Sequence, residues 1–537
     1  LVCEVCCVTK RVKLMLYGCN GGAFEVTSLS QMAEEIKKRG FATNLYAVML
    51  IALVAGGLAI PVALEGNAGT TSAVDIKLTT QRVVAVAADH GIQVVTGVGD
   101  GAAPLRSFTF LVMFHVGDVF GNYLSIPHPF IPLKAPWLDD YGNYQMVTQD
   151  FMHDAWRIRT NAITPTRPLW WGTISMCIAA MLVQAKLNGI ITGCHAYDGD
   201  HKRKQEWGAL RRMAGVNEQG VVNSPILERL WERDELKASV MYLTFMRYYL
   251  QLFTAVLTVD EIHHKSGFIL GFLALWRRQL GSPGCTYTVT NNFLTNQTFQ
   301  DTVISVNCLL LFLKMLQEKL GEANARRFIH MYRFVPSYLS SRFLEYLFAF
   351  ARTEHRNATS FSVYAGFVHV NHYVWFQELM YILGEQAPCS RRGVPQGPAR
   401  IDGRKGDVEE ELGGFDDARR IALIDAGCAE CLKLAHAVRA AHLQCGDLPI
   451  PTLDELKGEV LFAENLRKVC TRADLKLPRR NTTAAAGTTG GGGAAAGGVA
   501  DPAVAEAQAK VSVCRTKIAA VEAELKRRRE GRPRDAP

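Results

Sequence analysis

Residues 44–64 read NLYAVMLIALVAGGLAIPVAL, and from Leu45 to Leu64 the stretch carries no charge. As one helix it is long enough to cross a bilayer. KKR at 37–39 flanks it as a cytoplasmic anchor would be flanked. Two internal features point elsewhere. Gly56-Gly57 makes a two-residue hairpin turn, and Pro61 suits a strand near an edge better than a helix centre.

The neighbouring sequence decides between the readings. TKRVKLMLYG (9–18), GAFEV (22–26), LYAVMLIALVA (45–55), LAIPVAL (58–64) and GIQVVTGVGD (91–100) read as strands. Between the last two, Val74, Leu78, Val83, Val86 and Ala87 fall near helical spacing. Ser72 with Asp75 forms a capping box, and Gly91 closes the helix. Strands, helix, strand is an α/β unit, so residues 45–64 are expected to be a hairpin of its sheet and not a membrane span.

The rest of the chain is different in kind. ELKASVMYLTFMRYYLQLFTAVL (235–257), GFILGFLALWRRQL (267–280), VISVNCLLLFLKMLQEKL (303–320) and SRFLEYLFAFAR (341–352) read as helices broken by charges, hence buried helices. A Pro/Gly/Arg linker at 388–407 leads to a helical unit at 412–470. NTTAAAGTTGGGGAAAGG (481–498) is low complexity, and residues 504–530 carry a coiled-coil-like stripe.

The chain has 537 residues, 48% hydrophobic and 20% charged, enough for a real core. Net charge is +8, a basic bias compatible with a nucleic-acid partner, and much of it lies in KRRREGRPR at 526–534. Fourteen scattered cysteines read as reduced thiols and not as a disulfide framework. The first residue is Leu1, so the chain is read as a fragment or one with a lost start.

Three segments offer chemistry. In GVGDGAAPLRSF (97–108), Asp100 ends an apolar strand, where α/β sites are built; the alternative is a plain Asp-Gly turn. In YQMVTQDFMHDAWRIRTN (144–161), Asp150 ends another strand. His153, Arg157 and Arg159 follow on a helix start, where arginines can sit on phosphates. The alternative is an Asp N-cap with a solvated basic face. In SRFLEYLFAFARTEHRN (341–357), Glu345 is an acid inside an apolar helix. Such an acid needs a metal or a partner, Arg342 or Arg352 being at hand.

Together these segments resemble the P-element-like family of DNA transposases. DGAAPLRSF (100–108) is similar to its "DGaspNRkf" phrase, DFMHDAWRIRT (150–160) to "DpxHLxKxxRN", and LEYLFAFAR (344–352) to "LExxFsxxR". FLALWRRQL (272–280) and NNFLTNQTFQD (291–301) look like the helical insertion of protist and algal relatives. The resemblance covers roughly residues 1–385.

It implies an α/β fold: an RNase H-like mixed sheet with a large all-α insertion, plus a C-terminal helical region. Residues 1–150 would be the first part of the core, 151–335 the insertion and 336–385 the return helix. The linker would span 386–411, the helical region 412–475, the low-complexity linker 476–502 and the short coiled-coil-like helix 503–530. It also implies metal-dependent DNA cleavage and strand transfer at transposon ends. Asp100 and Glu345 would be catalytic acids binding Mg²⁺ or Mn²⁺, with Asp150, His153, Arg157 and Arg159 as a secondary motif. DNA, a homo-oligomer and a nuclear location follow from the resemblance. GTP follows from it alone, since no G-x-x-x-x-G-K-[ST] loop is present.

There are departures. LVCEV (1–5) sits where the first acid is expected, with Cys3 at the Asp position, leaving Glu4 as the candidate. Trp156 replaces the usual Lys, Thr160 the usual Asn, and Leu105 the Asn before Arg106. They point to a decayed copy, or to a catalytically inactive DNA- or protein-binding descendant. A zinc site is also weighed at Cys3, Cys6, Cys7 and Cys19, and at Cys428, Cys431, His436, His442 and Cys445. The second set lies on one continuous helical run, which cannot surround a tetrahedral ion, so core and surface thiols are expected.

Overall fold

The computed structural model describes residues 2–5, 12–19, 22–26, 28–39, 44–51, 59–67, 72–99, 103–113, 122–138, 143–164, 167–176, 178, 207–217, 221–255, 257–283, 285–321, 416–442, 449–459 and 461. Asp100, Glu345, the Gly56-Gly57 turn, the expected helix at 341–352 and the segments at 388–407 and 481–530 lie outside the described residues.

Two compact units divide the chain, residues 1–16, 23–34 and 478–537 in the first, 17–22 and 35–477 in the second. The opening strands β1 (Val2–Val5), β2 (Val12–Cys19) and β3 (Gly22–Val26) form a three-stranded sheet in that order. Strand β1 runs antiparallel to β2, with Glu4 opposite Lys13. Helix α1 (Leu29–Arg39) follows.

The described parts of the opening stretch are two paired strands. Strand β4 (Asn44–Ile51) pairs antiparallel with β5 (Ala59–Asn67). The register shifts between Val48 and Met49, which face Ala63 and Pro61 and leave Val62 over as a bulge. A proline has no N–H to give a ladder, so it sits where the ladder is already interrupted. Paired strands replace the single spanning helix over these residues. Among the described residues β4 and β5 pair only with each other.

Helix α2 (Ala73–Asp89) starts at the Ser72–Asp75 capping box read from the sequence. Its buried face follows the expected stripe only in part, at Ala87. Ile76, Val84 and Ala87 are buried, while Leu78 and Val86 are exposed. The apolar residues of this helix lie nearly all round it, so spacing alone cannot say which side meets the core.

Next come β6 (Thr96–Gly99), α3 (Ala103–Met113), a small antiparallel sheet of β7 (Tyr123–Leu124), β8 (Ala135–Leu138) and β9 (Asn143–Tyr144), then β10 (Met146–Gln149) and α4 (Phe151–Ile163). Strand β10 is parallel to β6, with Gln149 opposite Gly99. All four β10 residues are buried, as parallel strands covered on both faces are. The hairpin β11 (Trp170–Trp171) and β12 (Ile174–Ser175) interrupts the region expected to be all helical.

Helices then dominate: α5 (Trp207–Ala214), α6 (Ile226–Trp231), α7 (Lys237–Thr254), α8 (Val259–Gly281), α9 (Asn296–Leu320), α10 (Asp417–Ala441) and α11 (Leu453–Lys457). Helix α8 begins eight residues before the expected 267, because Thr258 and Glu261 form a capping box. Helix α9 is long and apolar enough to cross a membrane, yet 89% of that window is buried inside the protein. The core is aromatic. Tyr242, Phe245, Phe272, Trp276 and Phe293 are fully or almost fully buried. Trp276 meets Tyr242 and Phe293 edge-on and donates its indole N–H to the Trp170 carbonyl at 2.6 Å. Aromatic pairs of this kind add to area burial.

Helix α10 lies on α8 and is part of this helical body. Gly267 of α8 faces the Ile424 backbone, and Gly427 of α10 faces the His264 carbonyl, so the helices meet at glycines. The Cys428 thiol donates to the Gly267 carbonyl at 3.2 Å. Cys428 and Cys431 are fully buried there, and His436 is exposed; the expected core thiols are what this helix holds.

Candidate functional site

The site grows from the parallel pair. Strands β6 and β10 run side by side and end together, and the Asp150 N–H donates to the Gly99 carbonyl at 2.7 Å. Asp100 follows Gly99 in sequence but lies outside the described residues. The carboxyl ends of adjacent parallel strands are where α/β proteins place sites.

Asp150 is the N-cap of α4. Its Oδ1 accepts the Met152 N–H at 2.9 Å, and its Oδ2 lies 2.9 Å from His153 Nδ1. The capping alternative is therefore what the structure contains, because an extended Asp just before a helix meets its unpaired N–H groups. The rest of that alternative, a solvated basic face, is not found. Arg159 is 2% exposed and turned into the protein, away from any phosphate at the surface. Arg157 reaches across to α9, where its Nη1 donates to Asp301 Oδ2 at 2.5 Å.

Asp301 is fully buried and is shared by two arginines, Arg106 of α3 lying 3.2 Å away. One turn into α4, Asp154 is also fully buried. Its Oδ2 accepts from the Tyr249 hydroxyl at 3.0 Å and from the Ser305 hydroxyl at 2.9 Å, and Arg157 lies 3.6 Å from its other oxygen. Burial pushes the Asp154 carboxyl well above the usual range, and the Asp301 charge adds to this. Burial also raises Asp301, against the pull of Arg106 and Arg157. Two carboxyls in a low-dielectric place cannot both ionise freely.

Of the residues singled out from the sequence, Asp150, His153 and Arg157 come together on the first turns of α4. Glu4 stands on β1 opposite Lys13. Asp154, Asp301, Arg106, Tyr249 and Ser305 were missed as site residues. The signal for Asp301 was present: an acid in TFQDTVISVNCLLL is as out of place as Glu345 in its own apolar helix.

The acids described here do not suit a metal. Among the described residues no group of three or more His, Cys, Asp or Glu is gathered to hold one. Asp301 faces two guanidiniums, Asp154 faces two hydroxyls and Asp150 caps a helix.

Beside this network is a cleft of about 380 Å³ between α4 and the start of α9. His153, Trp156, Arg157, Thr160, Arg167 and Thr298 are among its walls. Asn161 ties its floor together, donating to Thr298 Oγ1 and accepting from the Thr295 N–H, both at 3.2 Å.

No family model, no curated protein and no solved structure matches this chain.

Proposed function

We propose that the chain descends from a P-element-like DNA transposase, with an RNase H-like core interrupted by a helical insertion. Its reaction is metal-dependent phosphodiester cleavage and strand transfer at transposon ends. The observation that supports this reading is the parallel pairing of β6 with β10 in the register Gly99 to Gln149. The two motif phrases DGAAPLRSF and DFMHDAWRIRT begin at the very next residue of each strand. Two family-like phrases thus start from paired strand ends, an arrangement that sequence distance alone does not require.

In this reading Asp100 and Glu345 hold the metal, with Glu4 as the candidate third acid, and Mg²⁺ or Mn²⁺ supplies Lewis-acid stabilisation of the phosphodiester oxygens. The chain's own described residues do other work. Asp150 starts α4 and orients His153, and Arg157 is held by Asp301 beside the cleft. DNA is the partner, with a homo-oligomer and a nuclear location as the setting. GTP is carried by the resemblance alone.

The test is cleavage of the cognate transposon end with and without Mg²⁺, comparing the parent with Asp100→Asn and Glu345→Gln. Loss of cleavage in both variants is expected. Unchanged cleavage by Asp100→Asn would make the assignment wrong.

A second reading, a catalytically inactive binding protein, is favoured by Trp156. It occupies the position of the family's lysine and is 9% exposed, so it offers no charge to DNA. Tight binding of the transposon end without cleavage would support that reading.

A further inference from the structure

We infer that His128 is a proton-operated latch on the strap between β7 and β8: its neutral ring closes the turn at 128–131, and a second proton on that ring opens it.

The strap, residues 125–134, is tied to two helices. Asn307 of α9 donates to the Phe130 carbonyl at 3.1 Å, and Lys314 of α9 donates to the Ser125 carbonyl at 2.8 Å. His128 makes the tie to α10. Its side chain is 1% exposed, and its two ring nitrogens do different work. Nδ1 accepts the Phe130 N–H at 3.2 Å. Nε2 lies 3.1 Å from Asp425 Oδ1 of α10, whose other oxygen takes the Lys457 ammonium of α11 at 2.5 Å. Pro127, Pro129 and Pro132 carry no N–H, so few donors are left to close this turn.

These partners fix the tautomer. A ring nitrogen that accepts an N–H holds no proton of its own, so the proton sits on Nε2 and is donated to Asp425. A second proton can go only to Nδ1, where it would point at the Phe130 N–H. Two donors cannot share one contact, so protonation breaks the bond that closes the turn. The Ile131 N–H bond to the His128 carbonyl, at 2.9 Å, then holds the turn without it. Phe130 is fully buried and Ile131 is 3% exposed, so opening brings apolar surface to water.

The charged groups acting on the ring are Asp425 and Lys457. Helix α9 offers the strap the neutral Asn307, and its Lys314 is also held by Asp417 at 2.6 Å. Asp425 already has Lys457 as its counter-charge, so the extra proton leaves a surplus positive charge in a buried place. Burial lowers the ring from its ordinary 6.5; Asp425 opposes this and Lys457 adds to it. The folded chain resists the proton, so the closed turn is favoured above pH 6.5 and is lost as pH falls below it.

The experiment is hydrogen–deuterium exchange of the full chain, read by mass spectrometry. Backbone protection is followed at residues 126–133, and exchange at the imidazole carbon reports protonation of His128 in the same samples. If the closed turn excludes the proton, linkage gives about a tenfold loss of protection between pH 7.5 and pH 5.5, corrected for the intrinsic rate. The loss is expected to track His128 protonation, while residues 267–276 of α8 stay protected. His128→Asn keeps an oxygen for the Phe130 N–H and cannot take a proton, so its protection is expected not to change with pH. Constant protection in the parent, an equal loss in α8, or an equal loss in His128→Asn overturns the inference.

Discussion

Arg157 of α4 donates to Asp301 of α9 at 2.5 Å, joining residues 144 apart in the chain. Asp301 also takes Arg106 of α3, so one fully buried carboxylate ties together three helices around the β6–β10 pair. The same contact sets one wall of the cleft.

Asp301→Asn should be strongly destabilising. It leaves two partly buried guanidiniums facing a neutral amide, and removing one partner of a buried ion pair costs about 3–5 kcal/mol. Arg106→Gln should cost less, because Arg157 still neutralises Asp301. Urea unfolding of the two variants tests the order. Equal midpoints would show that Asp301 is not the shared anchor.

Asp154→Asn should behave in the opposite way at neutral pH. Burial holds this carboxyl well above its ordinary 3.8. The folded chain thus binds the proton more tightly than the unfolded chain. The acid therefore takes stability away as pH rises from 3.8 through the folded value. Asparagine has no charge to bury and still accepts from Tyr249 and Ser305. The variant's advantage in urea midpoint should widen from pH 5 to pH 8. A shrinking advantage would mean that Asp154 is held as a carboxylate.

His263 works on the acid side. Burial lowers it from 6.5 to about 4, against the pull of its hydrogen bond to the Val259 carbonyl. The folded state resists the proton, so stability is full above pH 6.5 and is lost as pH falls towards 4. This shift corresponds to roughly 3 kcal/mol. His263→Gln should flatten the stability profile between pH 6.5 and 4, and an unchanged slope would remove His263 from the acid response.

The glycine crossing of α8 and α10 should tolerate no side chain. A Cβ at Gly427 would overlap the His264 carbonyl, and one at Gly267 would overlap the Ile424 backbone. Either alanine should cost at least about 2 kcal/mol, as overpacking against rigid backbone does. Gly281→Ala, with nothing within 4 Å of its Cβ, should stay within about 0.5 kcal/mol of the parent. Chemical denaturation of the three variants distinguishes a tight crossing from a loose one.

Much of the local structure follows from the sequence by itself. The Ser72–Asp75 capping box, the hairpin around Pro61 and the long apolar helices depend on neighbours a few residues apart. Backbone hydrogen bonds and apolar periodicity act over that range, so composition and spacing reveal them. Asp150 as an acid closing a strand was legible for the same reason.

Only the tertiary structure decided what these groups face. Leu78 looks like a core residue and is exposed, while Arg159 looks like a surface cation and is 2% exposed. Asp301 stands out as an acid in an apolar run, but only the fold shows that it is the shared partner of Arg106 and Arg157. Charge pairing and burial depend on which elements meet across the chain, and that is set by packing of whole faces, not by any local pattern.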